Sequence, residues 1–394
     1  MSPLTQSFSM KKQKEANPTR NLLIDYTYIK DSRDLSNSLA IYGSRLIQGF
    51  QRYGHYCIHV LLWRDTEAYL DKLVGGPFNK IVLDKKDVPA RCRRSYNRLR
   101  GILPPGLTEE LGRRKIEKVL LPAHFNSIFH FRRPYTHYVV IHDLFYHEVQ
   151  RALRGRLSFL KWRMLDFLSI WMYRHLITIS NVTHDEVRRF TGRESQVLYN
   201  SLPFSFHIPE KTVESICGKP YIIDINSLQE RKNTEVLIRA MGLLKETIPH
   251  ILYLKVSRLY PEVRRRLEQL VSDLGLQDRV IFDTDYRSEG EIRYLYAHAD
   301  LFVSPSLKEG FGWTPIEAAI LKTPVLVSDI EIYQEVTCGK IPTFNPHAPE
   351  DLVAHILEIL DNPPSLEERT ELADFFLETY SQKKQIERLE AILE

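Results

Sequence analysis

Short apolar runs alternate along this chain with segments of helical spacing. That alternation restricts it to parallel sheets covered by helices. Residues 21–26 read as a strand, 35–53 as a helix whose end is marked by Gly54, and 56–63 as the next strand, a βαβ opening. Apolar runs at 81–83, 128–131, 138–141, 176–179 and 197–199 continue the rhythm. A stretch over 202–220 punctuated by Pro203, Pro209 and Pro220 reads as a linker. The rhythm then restarts at 221–225 and runs through 252–256, 280–282, 301–303 and 325–327. Segments 366–380 and 383–393 carry helical apolar spacing. A chain of 394 residues exceeds one ordinary core, so two domains of roughly 180 residues are expected, each a Rossmann-like half. The expected division is a basic tail over 1–20, a first domain over 21–203, a linker over 204–219, a second domain over 220–375 and a final helical segment over 376–394.

A formal net charge of +4 is mild. It suits anionic partners such as nucleotides, lipids or polysaccharides without demanding nucleic acid, which is not expected. Cys57, Cys92, Cys217 and Cys338 show no paired spacing, so free thiols are expected rather than disulfides or a zinc site. Residues 1–20 are polar and carry Lys11, Lys12, Lys14 and Arg20 with no apolar run, which argues for a disordered tail and against a secretory signal. No stretch approaches the roughly 20 apolar residues of a membrane span, so a cytoplasmic protein is expected.

The richest chemistry lies at Lys308-Glu309-Gly310-Phe311-Gly312-Trp313-Thr314-Pro315-Ile316-Glu317. A buried strand precedes it, and Thr314, Pro315 and Glu317 read as a capping box with proline at the first helical position. Gly310 and Gly312 let backbone approach a ligand, and a helix start offers bare amides to an anion or a hydroxyl-rich partner. On this reading Glu317 has a structural role as third residue of the box, whereas Glu309 has none. A second candidate is Lys232, which with Asn233 as N-cap would stand beside the amides of a helix over 234–245, a setting suited to a diphosphate. A third is His142, followed by Asp143 at the carboxyl end of an apolar strand, where open α/β sheets build their sites.

Together these segments resemble glycosyltransferase family 4. The match lies in the glutamate pair Glu309 and Glu317 around two glycines, the following Ala318-Ala319 and Thr323-Pro324-Val325, the Lys232-Asn233 pair, and Ile141-His142-Asp143. The resemblance implies the GT-B fold, two Rossmann-like domains whose parallel sheets face across a cleft, with the last helix crossing back to the first domain. It implies a retaining transferase that moves a hexose or deoxyhexose from a nucleotide-diphosphate sugar to a saccharide or lipid-linked glycan acceptor in polysaccharide biosynthesis. No cofactor or metal is implied. Glu309 and the backbone of Gly310, Phe311 and Gly312 would hold the donor sugar, Glu317 the ribose and Lys232 the diphosphate, while His142 closes the site. Residues 282–287 would border the base. The chain departs from the family pattern at Asn226, where glycine is usual, and at Ser227, where a phosphate-binding arginine is usual, leaving Arg231 as the neighbouring cation. It also lacks glycine over 31–42, where family members often have a glycine-rich loop.

Two alternatives stay open: a GT-B sugar-nucleotide epimerase, which would need no acceptor, and a non-catalytic nucleotide-sugar-binding subunit. Residues 156–174 mix aromatic and basic side chains as a helix, read chiefly as packed on the sheet with a peripheral membrane contact as its rival. The basic residues between Arg91 and Lys115 are a separate candidate for an anionic surface.

Overall fold

The computed structural model describes residues 20–29, 38–86, 106–124, 135–144, 159–202 except 162, 165 and 172, and 208–394 except 259. The expected strand at 128–131, the glycine-poor loop over 31–37, the basic stretch at 91–100 and residues 1–19 lie outside them.

The first half contains β1 (Asn21–Asp25), α1 (Ser38–Tyr53), β2 (Cys57–Trp63), α2 (Arg64–Val74), β3 (Asn79–Leu83), α3 (Leu107–Arg113), β4 (Lys118–Leu121), β5 (Thr136–Ile141), β6 (His175–Thr178), α4 (Asn181–Thr191) and β7 (Gln196–Val197). The second contains β8 (Tyr221–Ser227), a 3-10 turn (Glu230–Lys232), α5 (Thr234–Leu243), β9 (Ile251–Arg258), α6 (Pro261–Asp273), β10 (Val280–Asp283), α7 (Glu289–Ala297), β11 (Leu301–Ser304), α8 (Trp313–Ile320), β12 (Val325–Ser328), α9 (Glu331–Val336) and β13 (Thr343–Phe344). Helices α10 (Pro349–Asp361), α11 (Leu366–Thr379) and α12 (Gln382–Leu393) finish the chain.

Among the described residues every strand pair is parallel, in the orders β3-β2-β1-β4-β5-β6-β7 and β10-β9-β8-β11-β12-β13. Parallel strands are covered on both faces, which is why they read as unbroken apolar runs. Each sheet has one place where the strand order reverses, between β1 and β4 and between β8 and β11. Ligands of open α/β sheets gather beyond the carboxyl ends of the strands at such a reversal.

Separate apolar clusters fill the outer faces of the two sheets, while a third runs from Leu22 and Ile24 through Phe302 and Tyr333 to Phe376, Ile386 and Leu393 without a break. Helix α12 carries that cluster onto the first domain. A Cβ on Gly49 of α1 would stand 2.6 Å from Ile386, so the two helices meet at a glycine. Tyr138 donates to the Leu393 carbonyl at 3.1 Å, and Lys118 donates to the same oxygen.

Two local expectations are corrected. Thr314 does not cap a helix: Gly312, at φ 88°, stands at the N-cap of α8 and no side chain caps it. The helix therefore begins before Thr314, and Pro315 falls among the first four amides, where a missing N–H leaves no gap. Asn233 does flank α5, but at φ 53° and without a side-chain cap; its amide donates instead to the Pro346 carbonyl at 2.8 Å.

Candidate functional site

The order reversal of the second sheet brings together the loop after β8 and the loop after β11. The 3-10 turn after β8 presents Arg231 and Lys232, and both reach one carboxylate. Arg231 Nη1 lies 2.9 Å from Glu309 Oε2, and Lys232 Nζ lies 2.5 Å from Glu309 Oε1. Ser306 donates to Oε1 at 2.7 Å. Arg231 is further tied to the Lys308 carbonyl at 2.8 Å and to Gln229 Oε1 at 3.0 Å. The expectation that Glu309 lacks a structural partner is thus corrected, and the adjacent residues Arg231 and Lys232 point the same way. Burial, the largest single influence, works to raise the Glu309 carboxyl, but Lys232, Arg231 and the hydrogen bonds override it and hold the group at about 2. Glu309 is ionised across the physiological range.

Beneath this triad lies Asp224, which burial pushes up to about 7 against the attraction of Lys232. Asn226 donates to Asp224 and, at 3.1 Å, to Thr234 Oγ1, while its own Oδ1 is buried without a partner. Ser227 Oγ accepts from Gln229 at 3.1 Å. Its side chain therefore braces the turn that carries Arg231.

Glu317 is buried in α8, accepts from Tyr296 at 2.9 Å, and is pushed by burial to about 7. A carboxyl near its midpoint at neutral pH can either accept from a hydroxyl or donate to one. Phe311 packs among Tyr199, Trp313 and Tyr380 with ring centroids 5.4 to 6.4 Å away, and so anchors the loop instead of facing solvent. Gly312 is required twice over: φ is 88° and a Cβ would lie 2.5 Å from the Tyr333 ring. At Gly310 a Cβ would lie 2.5 Å from the His142 carbonyl oxygen, so the two domains touch backbone to backbone there.

His142 directly follows β5 and faces this contact from the first domain. Its Nε2 is 2.8 Å from the Pro122 carbonyl, which can only accept, so that nitrogen carries the proton and Nδ1 keeps a lone pair. Burial lowers the ring to about 4, so it is neutral. Tyr42 of α1 stands edge-on to it at 4.6 Å. Asp143, the next residue, joins Glu309 in favouring the charged form of Arg231 across the cleft, although burial of Arg231 opposes both.

Beyond β10, Lys255 Nζ donates to the Asp285 carbonyl at 2.8 Å and Asp283 accepts from Tyr253 at 2.6 Å and Arg287 at 2.8 Å. These contacts stiffen the 282–287 segment at the same edge of the sheet. Ser306, Tyr296 and Asp224 were not among the sequence candidates. Ser306 had a signal in its three-residue spacing from Glu309, whereas Tyr296 had none. Cys57, Cys217 and Cys338 are free thiols, and Cys92 lies outside the described residues. Among the described residues no group of three or more His, Cys, Asp or Glu could hold a metal ion, and no helix is long and apolar enough to cross a membrane.

Residues 210–374 match the family model of glycosyl transferases group 1. The chain is 31% identical over 188 residues to the O-antigen chain mannosyltransferase RfbU of Salmonella typhimurium, covering 47% of this chain and 50% of that protein. It is 26% identical over 248 residues to the lipopolysaccharide core biosynthesis mannosyltransferase LpcC of Rhizobium leguminosarum bv. viciae, covering 59% and 69%. The aligned part thus spans about half the length of the first of these relatives. Anabaena Alr3699/HepE, solved in complex with UDP and glucose, superposes with a TM-score of 0.66 at 14% identity over 95% of this chain and 99% of that one. The chain therefore has the GT-B fold, and the part of it that resembles the glycosyl transferases group 1 model lies chiefly in the second domain.

Proposed function

We propose that this chain is a retaining glycosyltransferase of family 4 that moves a hexose or deoxyhexose from a nucleotide-diphosphate sugar to a saccharide or lipid-linked glycan in cell-surface polysaccharide synthesis. The observation that carries this reading is the convergence of Arg231 and Lys232 on Glu309 at the sheet's order reversal. Two cations and a neighbouring helix start suit a diphosphate. The mannosyltransferase relatives and the UDP and glucose bound to HepE support the same donor class.

On this reading the diphosphate takes Lys232 and Arg231, which releases Glu309 to the donor sugar hydroxyls beside Gly310, Phe311 and Gly312. Glu317 meets the ribose. His142, neutral with a lone pair on Nδ1, accepts from a sugar hydroxyl. The bond between the anomeric carbon and the diphosphate breaks with its electron pair on the leaving oxygen, where the two cations stabilise the charge as it develops. The acceptor oxygen bonds to the anomeric carbon from the same face, and its proton passes to the departing diphosphate oxygen. No metal takes part in this scheme.

We place the protein at the cytoplasmic membrane face. Among the described helical residues 159–161, 163–164 and 166–171, Leu160, Met164 and Trp171 are exposed apolar groups beside Lys161 and Arg163. Such a face suits an anionic lipid surface on which a lipid-linked acceptor is carried.

The test is a panel of nucleotide sugars, with and without glycan acceptors, in excess chelator. The reading expects transfer with the donor's anomeric configuration kept. An isomerised nucleotide sugar formed without acceptor would replace it with the epimerase reading, and activity lost in chelator and restored by magnesium would refute the metal-free scheme.

A further inference from the structure

Glu335 lies on α9 in the second domain, and among the described residues its carboxylate hydrogen-bonds to groups of the first. Oε1 accepts from the Asn181 backbone N–H at 2.6 Å, the Asn181 side-chain amide at 2.9 Å and the Tyr199 hydroxyl at 2.9 Å. Oε2 accepts from the Val182 N–H at 2.9 Å. Those two amides open α4, and the first amides of a helix have no acceptor within it. Ser180 caps only the Thr183 amide from within the first domain. A carboxylate from the other domain completes the cap, with the helix dipole in its favour.

The same turn of α4 also meets the glycine loop. Ser180 Oγ donates to the Gly310 carbonyl at 3.1 Å, and Thr183 Oγ1 lies 3.5 Å from both the Gly310 and the His142 carbonyls. One turn further, Glu186 pairs with Lys308 at 3.2 Å. Helix α9 touches the loop from behind, because Tyr333 bonds Ser304 at 2.6 Å and its ring packs on Gly312. The start of α4 is thus gripped by Glu335 on one side and rests on the Gly310 carbonyl on the other.

We propose that Glu335 is a positioning residue. It clasps the first domain to the second through α4 and so sets the gap between His142 and the Glu309 to Gly312 loop across which the sugar is transferred. This rests on the transferase reading above, and the experiment keeps the two apart.

The variant is Glu335→Gln, which keeps size but can offer only one acceptor end, so one α4 amide must face an NH₂ group. Turnover with donor and acceptor, donor KM, nucleoside diphosphate affinity and solution scattering of the unliganded protein are measured, with Glu335→Asp as the conservative control. Displacing reacting groups by an ångström costs on the order of a hundredfold. The expected result is kcat at least tenfold lower in Glu335→Gln, partly recovered in Glu335→Asp, with nucleoside diphosphate affinity within twofold of the unaltered protein. A kcat within twofold, or a diphosphate affinity falling in step with kcat, overturns the proposal. Should the unaltered protein neither bind any nucleoside diphosphate nor transfer any sugar, it is the transferase reading that fails. Scattering then decides the clasp alone: a larger radius of gyration for Glu335→Gln supports it and an identical one refutes it.

Discussion

Replacing Glu309 with Gln separates two duties that the structure assigns to one side chain. The carboxylate holds Arg231 and Lys232 in the unliganded protein, and Glu309, Lys232 and Arg231 side chains are only 9%, 15% and 22% exposed. Breaking a buried pair by removing one partner costs about 3 to 5 kcal/mol, and partial access of both cations to water places this case near 3 kcal/mol. For a domain of this size that lowers Tm by roughly 6 to 12 °C. Binding of the diphosphate should move the other way. Two anions sharing the Lys232 ammonium lie about 5 Å apart and repel by about 3 kcal/mol at an effective dielectric of ~20. If half of that survives solvent screening, Glu309→Gln binds a nucleoside diphosphate about tenfold more tightly. Turnover should fall on the order of a hundredfold, because the sugar loses its charged anchor while the diphosphate keeps both cations. Thermal melts, calorimetric titration with a panel of nucleoside diphosphates, and initial rates read these quantities from one preparation. A diphosphate affinity that falls together with turnover would refute the idea that Glu309 competes for the cations.

Glu317→Gln tests the buried carboxyl in α8. Its folded pKa of about 7 exceeds the unfolded value of 4.5, so its contribution is whole below pH 4.5 and is lost as pH rises through 7. The loss amounts to about 3 kcal/mol between pH 4.5 and 8, most of it before pH 7, and denaturant midpoints should fall across that window in the unaltered protein and less steeply in the variant. Asp224, shifted in the same direction, remains in both proteins, so parallel curves would show that Glu317 titrates normally. Gly312→Ala combines a left-handed backbone with a Cβ 2.5 Å from the Tyr333 ring, a cost of about 2 to 4 kcal/mol. A Tm within a degree of the unaltered protein would contradict that packing.

Much of the fold was legible because both sheets are parallel and covered on both faces, so strands such as Val325–Ser328 are buried throughout and stand out as apolar runs. Helix ends were read less well. Thr314, Pro315 and Glu317 have the letters of a capping box, yet Gly312 starts the helix two residues earlier, and no local pattern encodes which of two permitted starts the tertiary structure selects. That shift turns Glu317 inward to Tyr296, a partner 21 residues away on α7. Glu309 was singled out by its motif but appeared idle, since Arg231 and Lys232 lie 78 and 77 residues earlier and only the strand order brings them beside it. Contacts made by sheet topology have no local signature.

The residue at the end of β8 shows why position in the chain is a poor guide to position in the site. Ser227 stands where the resemblance leads one to expect an arginine, and a serine there carries no charge to a phosphate. The 3-10 turn that follows reverses the chain within three residues, with Ser227 Oγ accepting from Gln229 and Gln229 Oε1 accepting from Arg231. That chain of side-chain hydrogen bonds aims the guanidinium back at Glu309, beside the ammonium of Lys232. Arg231 is held in place from both sides, by Gln229 and by the Lys308 carbonyl, and its charge is favoured by Glu309 and Asp143. An arginine four residues further along the chain thus supplies a second cation at the same carboxylate, and Ser227 contributes by shaping the turn that delivers it.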